Sequence, residues 1–461
     1  MKAAPSTTIS HWWDDLGPAP RRHRLDGDTS ADICIVGAGL TGLWTAYYLL
    51  RDDPALRVVI LEAEHAGFGA SGRNGGWLTG AVAGPRRRYA RRGGRHAVLD
   101  LQRAMHDGVD EVLAVLADEG IAADAVKAGT LRVATTPAQA ARLRAHVEGE
   151  YSWGLRPGDL RLLGRDELEE RVRVHGARLG AFSPHGARVH PAKLVRGLAQ
   201  TVERRGATLF EGTPATAITP GEVRTPYGAV RARVVVRATE GFTGRLPGLR
   251  RRWLPMNSSM LVTEPLGPGL WQHIGWHGQE TLSDFAHAYA YLQRTADGRI
   301  AIGGRGVPYA YAGRFAADGI TPASTVRALT DVLHRLFPGT VTVPVARSWS
   351  GVLAVPRDWC PGVGYDHGTG LAWAGGFVGQ GLTAANVAGR TLTDLICGRR
   401  TRLTDLPWVG WHSPTWEPEP LRWLGVQGMY AAYRHADRQE NRSGRDRSAF
   451  TARLADRISG R

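Results

Sequence analysis

The feature that most constrains this chain is a strand–turn–helix–strand pattern over residues 31–62. Ile33-Cys34-Ile35-Val36 is a nearly continuous apolar run, as in a strand buried on both faces of a parallel sheet. Gly37-Ala38-Gly39-Leu40-Thr41-Gly42 follows; Leu40 to Leu50 has helical composition, and Asp52-Asp53-Pro54 stops it. Val58-Val59-Ile60-Leu61 is a second buried strand, ending at Glu62. In such a unit Gly37 permits the tight turn, Gly39 lets the backbone approach a pyrophosphate, and Gly42 lets the helix pack closely on the strand. The N–H groups opening the helix face the phosphates. Glu62 is placed to accept hydrogen bonds from an adenosine ribose diol, which disfavours a 2′-phosphate. Alone the glycine pattern is weak, but both strands, the helix and the carboxylate together specify dinucleotide binding.

A second glycine cluster, Gly67-Phe68-Gly69-Ala70-Ser71-Gly72-Arg73-Asn74-Gly75-Gly76, follows the second strand. Small residues let a backbone lie against a flat or charged ligand. Ser71, Arg73 and Asn74 add donors toward a pyrophosphate or a flavin edge. Two glycine clusters flanking the ribose carboxylate favour FAD over NAD.

The net charge is +15, and only Lys2, Lys127 and Lys193 among the 58 basic residues are lysines. A GC-rich genome raises Arg, Ala and Gly together, and no RNA- or DNA-binding motif accompanies the charge, so no nucleic-acid partner is expected. Arg86 to Arg95 reads as a solvated loop or helix face. Cys34, Cys360 and Cys397 are widely spaced, which argues against a disulfide framework and a metal site and points to the cytoplasm. No apolar run reaches the roughly 18–20 residues that span a bilayer. Arg21-Arg22 is followed by the charged stretch Arg24-Leu25-Asp26-Gly27-Asp28, so the start reads as mature protein without a signal. Trp12-Trp13 should pack onto the body.

Helical character is expected at about 96–119, 137–150, 191–205, 323–337 and 383–397, and again in the polar last forty residues. Strand character is expected at 207–210, 230–238, 299–302 and 371–374, with β-rich stretches over 255–310 and after 337.

Several segments together resemble the D-amino-acid-oxidase-like (DAO) superfamily of FAD-dependent amine oxidoreductases, and within it the γ-glutamylputrescine oxidase-like branch. They are Ala31 to Leu43, Gly69 to Gly76, His190 to Val195, Asp297 to Arg305, Trp349-Ser350-Gly351, Pro361 to Gly364 and Gly375 to Gly381. The resemblance implies an α/β (α+β overall) fold, with a Rossmann-type FAD-binding domain intertwined with a substrate domain on a mixed or antiparallel β-sheet. The expected division assigns 1–85, 186–250 and 355–400 to the FAD domain, 86–185 and 251–354 to the substrate domain, and 401–461 to a C-terminal helical extension.

The resemblance also implies a site. FAD contacts are expected at Gly37, Gly39, Leu40, Thr41, Gly42, Glu62, Ala63, Gly69, Ala70, Ser71, Arg73, Asn74, Gly75, Gly76, Ala215 and Ala238. Further contacts are expected at Gly376, Phe377, Gly379, Gln380, Gly381, Leu382 and Thr383, where a helix start would face the flavin N1/O2 region. Tyr289 and Tyr291 could line the substrate pocket or the core. Arg305 could pair with a substrate carboxylate or form a structural ion pair. Trp349 could be a pocket wall or core, and His287 reads as a satisfied histidine rather than an acid–base group. The implied reaction is oxidation of an amine or amino-acid C–N bond by hydride transfer, giving an imine that hydrolyses to a carbonyl, with O2 reduced to H2O2. No catalytic base is named. Sarcosine-oxidising relatives attach flavin through a cysteine near the Trp349 segment and carry a lysine in the strand of Arg299–Arg305. Neither is present here, Ala301 standing near the lysine's place, so FAD should be non-covalent. A dehydrogenase with another acceptor, or a tRNA-modifying flavoprotein, remain the alternatives.

Overall fold

The computed structural model describes residues 9–17, 22–315 and 318–459. Lys2 and Arg21 lie outside the described residues.

The opening pattern folds as its composition requires. Strand Thr29–Val36 pairs in parallel with Val58–Leu61 on one side and Gly228–Arg237 on the other. The sheet runs outward to Thr208–Phe210 at one end and to Leu371–Gly375 at the other, all parallel. An antiparallel edge strand, Gly362–Asp366, closes it. The helix Leu40–Asp52 packs against this sheet and against the helix Gly381–Ile396, which also touches the sheet, and it is buried from Leu40 to Leu50. Close approach explains its small residues: a Cβ on Gly42 would meet the Gly37 carbonyl oxygen at 2.0 Å, and one on Gly389 would meet Trp44 at 2.8 Å.

A second sheet of eight strands carries Val345–Val355, Leu254–Thr263, Ile300–Gly304, Tyr291–Arg294, Thr281–Asp284, Thr130–Ala134, Leu179–Ser183 and Arg161–Leu163, in that order. Every neighbouring pair is antiparallel except Thr281–Asp284 with Thr130–Ala134, which run parallel. A mixed α/β architecture with two large sheets is thus the fold.

The Arg86–Asp118 helix starts ten residues before the expected point and kinks at Gly93 and Gly94, Gly94 having φ +69°. Its arginine-rich start is a helix face, with Tyr89 buried and Arg87 exposed. Trp12 and Trp13 are buried in a short helix, His11–Leu16, as their apolar area demands. Helices Leu421–Ser443 and Phe450–Ser459 pack on each other. Among the described residues no helix is long and apolar enough to cross a membrane.

Candidate active site

The two sheets share a cavity of about 720 Å³, and its walls come from both. On the parallel-sheet side, Gly37, Gly39, Leu40 and Thr41 form the first turn, where the helix start leaves N–H groups without intrahelical partners. Gly37 has φ +108° and sits 2.6 Å (as a Cβ distance) from the Ala238 carbonyl oxygen, so a side chain has no room there. Glu62, just past the second strand, accepts the Ala38 N–H at 2.8 Å and the Glu64 N–H at 3.0 Å. Burial pushes its carboxyl up to about 7, against the pull of those two N–H groups. Ala63, Gly69, Ala70, Ser71, Arg73, Asn74, Gly75, Ala215 and Ala238 also line the cavity.

The donors of the second glycine cluster are largely used within the protein. Ser71 Oγ accepts the Leu40 N–H at 2.9 Å, and Asn74 Nδ2 donates to the carbonyls of Ala70 and Ser71. Arg73 donates to the Phe68 carbonyl at 2.7 Å and the Ser350 carbonyl at 3.2 Å. Arg73 and Asn74 therefore brace the loop while still lining the cavity. Two of the cluster's glycines make room for rings. A Cβ on Gly72 would meet Trp13 at 2.4 Å, and one on Gly75 would meet Tyr291 at 2.7 Å.

The turn before the Gly381 helix contributes Phe377, Gly379, Gln380, Gly381 and Leu382 to the wall. Gly376 does not line the cavity; its N–H and that of Phe377 are donated to Glu240, at 2.9 and 3.3 Å. The free N–H groups at this end are those of the helix's first turn. Glu240 itself, missed in the sequence, lines the cavity at φ +37° and also accepts the Ala354 N–H at 3.2 Å. Burial pushes it up to about 7.

Three further expected contacts fall elsewhere. Gly42 is used for helix-on-strand packing, Gly76 backs onto Gln293 and the Val189 carbonyl, and Thr383 is buried against Gly108. Trp349 is also absent from the cavity wall: it is core, donating Nε1 to the Arg73 carbonyl at 2.9 Å and standing edge-on to Trp12 at 5.6 Å.

The opposite wall comes from the second sheet. Tyr289, Tyr291 and Arg305 all line it, joined by Arg132, Arg142, Ser258, Ser283 and Phe285, which local sequence did not flag. Tyr291 lies between two glycines, since a Cβ on Gly303 would meet its ring at 2.3 Å, and its hydroxyl is 2.9 Å from Ser258 Oγ. Arg305 is half-buried; among the described residues it pairs with no carboxylate, and Tyr289 lies beside it in the cavity wall. The structural ion pair considered for it is therefore not formed. His287 lines the wall with Nε2 2.9 Å from Glu440 Oε1 and its ring stacked on Tyr433, a satisfied histidine.

A glycine turn at each of two helix starts, a buried carboxylate after the second strand and an aromatic, basic wall opposite define a dinucleotide-dependent oxidoreductase. The family model described as FAD dependent oxidoreductase (DAO) matches residues 32–395, and the chain belongs to that family. It is 29% identical over 384 residues to the γ-glutamylputrescine oxidoreductase of Escherichia coli, covering 82% of this chain and 86% of that protein. A probable oxidoreductase OrdL of Rhizobium meliloti is 27% identical, with 82% and 86% covered. Among solved structures, glycine oxidase from Geobacillus kaustophilus has a TM-score of 0.68 at 22% identity, over 81% of this chain and 96% of that one. The L-amino acid deaminase of Proteus myxofaciens has a TM-score of 0.68 at 16% identity, over 87% and 96%. The cofactor is thus FAD, and the cavity fits it: Gly37, Gly39, Gly69 and Gly75 line one side and Gly379 and Gly381 another, so backbone rather than side chains forms much of the wall.

Proposed function

We propose that this enzyme oxidises the C–N bond of a small amine or amino acid held between the glycine cradle and the wall of Tyr289, Tyr291 and Arg305. The observation that carries the reading is Arg305, a half-buried guanidinium without a carboxylate partner, facing the same cavity as the cradle. Bound FAD supplies a two-electron acceptor. The substrate loses a hydride from carbon and a proton from nitrogen, giving an imine, which water hydrolyses to a carbonyl compound and an amine. The protein's part is to orient the C–H bond. Arg305 takes an acid group of the substrate, Tyr289 and Tyr291 flank it, and the Ser258–Tyr291 contact fixes one ring.

The division of labour we propose follows the two sheets. Residues 1–85, 186–250 and 355–400 hold FAD, 86–185 and 251–354 shape the substrate side, and 401–461 form an extension. Three free cysteines agree with a cytoplasmic setting, and no nucleic-acid partner is part of the reading.

Anaerobic titration with a panel of primary and secondary amines and amino acids should bleach the flavin, with the carbonyl product identified by mass. A flavin that stays oxidised across the panel would sink the proposal. With air admitted, H2O2 should form in equal amount to the product. A second reading, transfer to another acceptor, is favoured by one observation: among the described residues no lysine lines the cavity, and Ala301 is buried in the sheet. Reoxidation by air too slow to sustain turnover would select it.

A further inference from the structure

Two guanidiniums on the second-sheet wall of the cavity, Arg132 and Arg305, lack an acid partner among the described residues, and the sheet fixes where they stand. Arg132 is in register with Ser283, Ser283 with Tyr291, and Tyr291 with Gly303, a single row across four neighbouring strands. Arg305 follows two residues after Gly303, just past the end of that strand, and lines the same cavity. Arg132 and Gly303 are therefore three strand spacings apart, about 14 Å of sheet.

The other charges around this wall are matched. Arg142 Nη1 is 2.7 Å from Glu440 and its Nη2 donates to the Phe285 carbonyl at 3.0 Å. Asp284 is paired with Arg335 at 3.1 Å, and His287 with Glu440 at 2.9 Å. Arg132 differs. Among the described residues its Nη1 meets only a ring nitrogen, His146 Nε2 at 3.3 Å, and burial beside cations holds that imidazole down at about 4, so it carries no charge to cancel. Glu150, whose field reaches Arg132, is hydrogen-bonded by Arg86 Nε at 3.0 Å. A partly desolvated cation without a counter-ion is costly, and two facing one cavity describe a ligand that brings two negative groups.

We infer that the substrate is a dicarboxylic amine, one acid group paired with Arg305 and the other with Arg132 at the far end of the row. The amine part rests on the proposed oxidation; the two-acid part does not, and the test separates them.

The holoenzyme is titrated calorimetrically with dicarboxylates from malonate to adipate, each against the monocarboxylate of equal carbon count at fixed ionic strength. The best dicarboxylate should bind about tenfold or more tighter than its partner. Arg132→Met should erase that advantage while leaving monocarboxylate affinity within about twofold, and Arg305→Met should weaken both. Arg132→Gln repeats the first arm should the methionine variant not yield holoenzyme. Equal affinities in the wild-type enzyme, or an advantage that survives loss of Arg132, overturns the inference. These probes carry no amine, so a dicarboxylate preference without flavin bleaching by any amine would remove the oxidation reading alone. Bleaching by mono-acid amines without that preference would remove the two-acid reading alone.

Discussion

Glu62 and Glu240 occupy equivalent kinds of place, each just beyond a strand of the parallel sheet and each holding backbone N–H groups. Burial raises both carboxyls to about 7, so the folded protein binds their protons more tightly than the unfolded chain does. Their contribution to stability is present below the ordinary carboxylate range and is lost as pH rises through about 7. If Glu62 takes the proposed ribose contact, the sign reverses on cofactor binding, because a diol donates to the ionised form. FAD affinity measured by fluorescence quenching should therefore rise between pH 6 and 8. Glu62→Gln should flatten that rise and weaken binding at pH 8 by about 1.5–3 kcal/mol, the range for hydrogen bonds to a charged group. A wild-type profile flat in pH would refute the assignment. Gly303 gives a second test. Its Cβ would strike the Tyr291 ring, which Gly75 blocks on the other side, so Gly303→Ala should cost about 1–3 kcal/mol in urea unfolding by overpacking.

Local signals were legible at the level of elements, and partnerships between distant elements were not. The Thr29–Val36 strand, its helix and the second strand follow from apolar runs and glycine spacing alone. The cavity side of Arg132 depends on a parallel pairing with residues 281–284, about 150 positions away, which no periodicity announces. Glycines were equally ambiguous: a cluster that reads as a ligand loop also makes room for Trp13 and Tyr291. Glu240 had one usable signal, a carboxylate shortly after a buried strand, the same cue that marked Glu62. The Leu421–Ser443 helix is the clearest case of hidden reach. Glu440 and Asp437 hold the 287–288 turn, and Glu440 holds Arg142 as well. Its bonds to His287 and Arg142 overcome burial and hold Glu440 down at about 2, so its stabilisation is present above the usual carboxylate range and fades as pH falls toward 2. Glu440→Gln should cost about 2–4 kcal/mol in unfolding, since it leaves Arg142 facing the cavity without its counter-ion. An unchanged urea midpoint would show that the helix does not brace this wall.

Across the whole molecule, the net charge of +15 comes from arginines in excess of the acids: some are tied to acids within the fold, a few line one cavity, and others, such as Arg87, lie exposed. The same global view bears on how the cofactor is held. Cys34 and Cys360 are buried in the protein interior, and burial pushes both thiols up to about 12, far from the thiolate that attack on a flavin ring requires. Cys397 lies just past the far end of the Gly381–Ile396 helix, whose opposite end lines the cavity. None of the three lines the wall, and in the proposed site FAD is held by the cradle, Glu62 and the two helix starts. Acid precipitation of the holoenzyme should release all of the flavin into the supernatant, and the pellet should be colourless and non-fluorescent. Flavin that remains with the pellet after washing in denaturant would mean a covalent bond from a side chain other than cysteine, and peptide mapping would locate it.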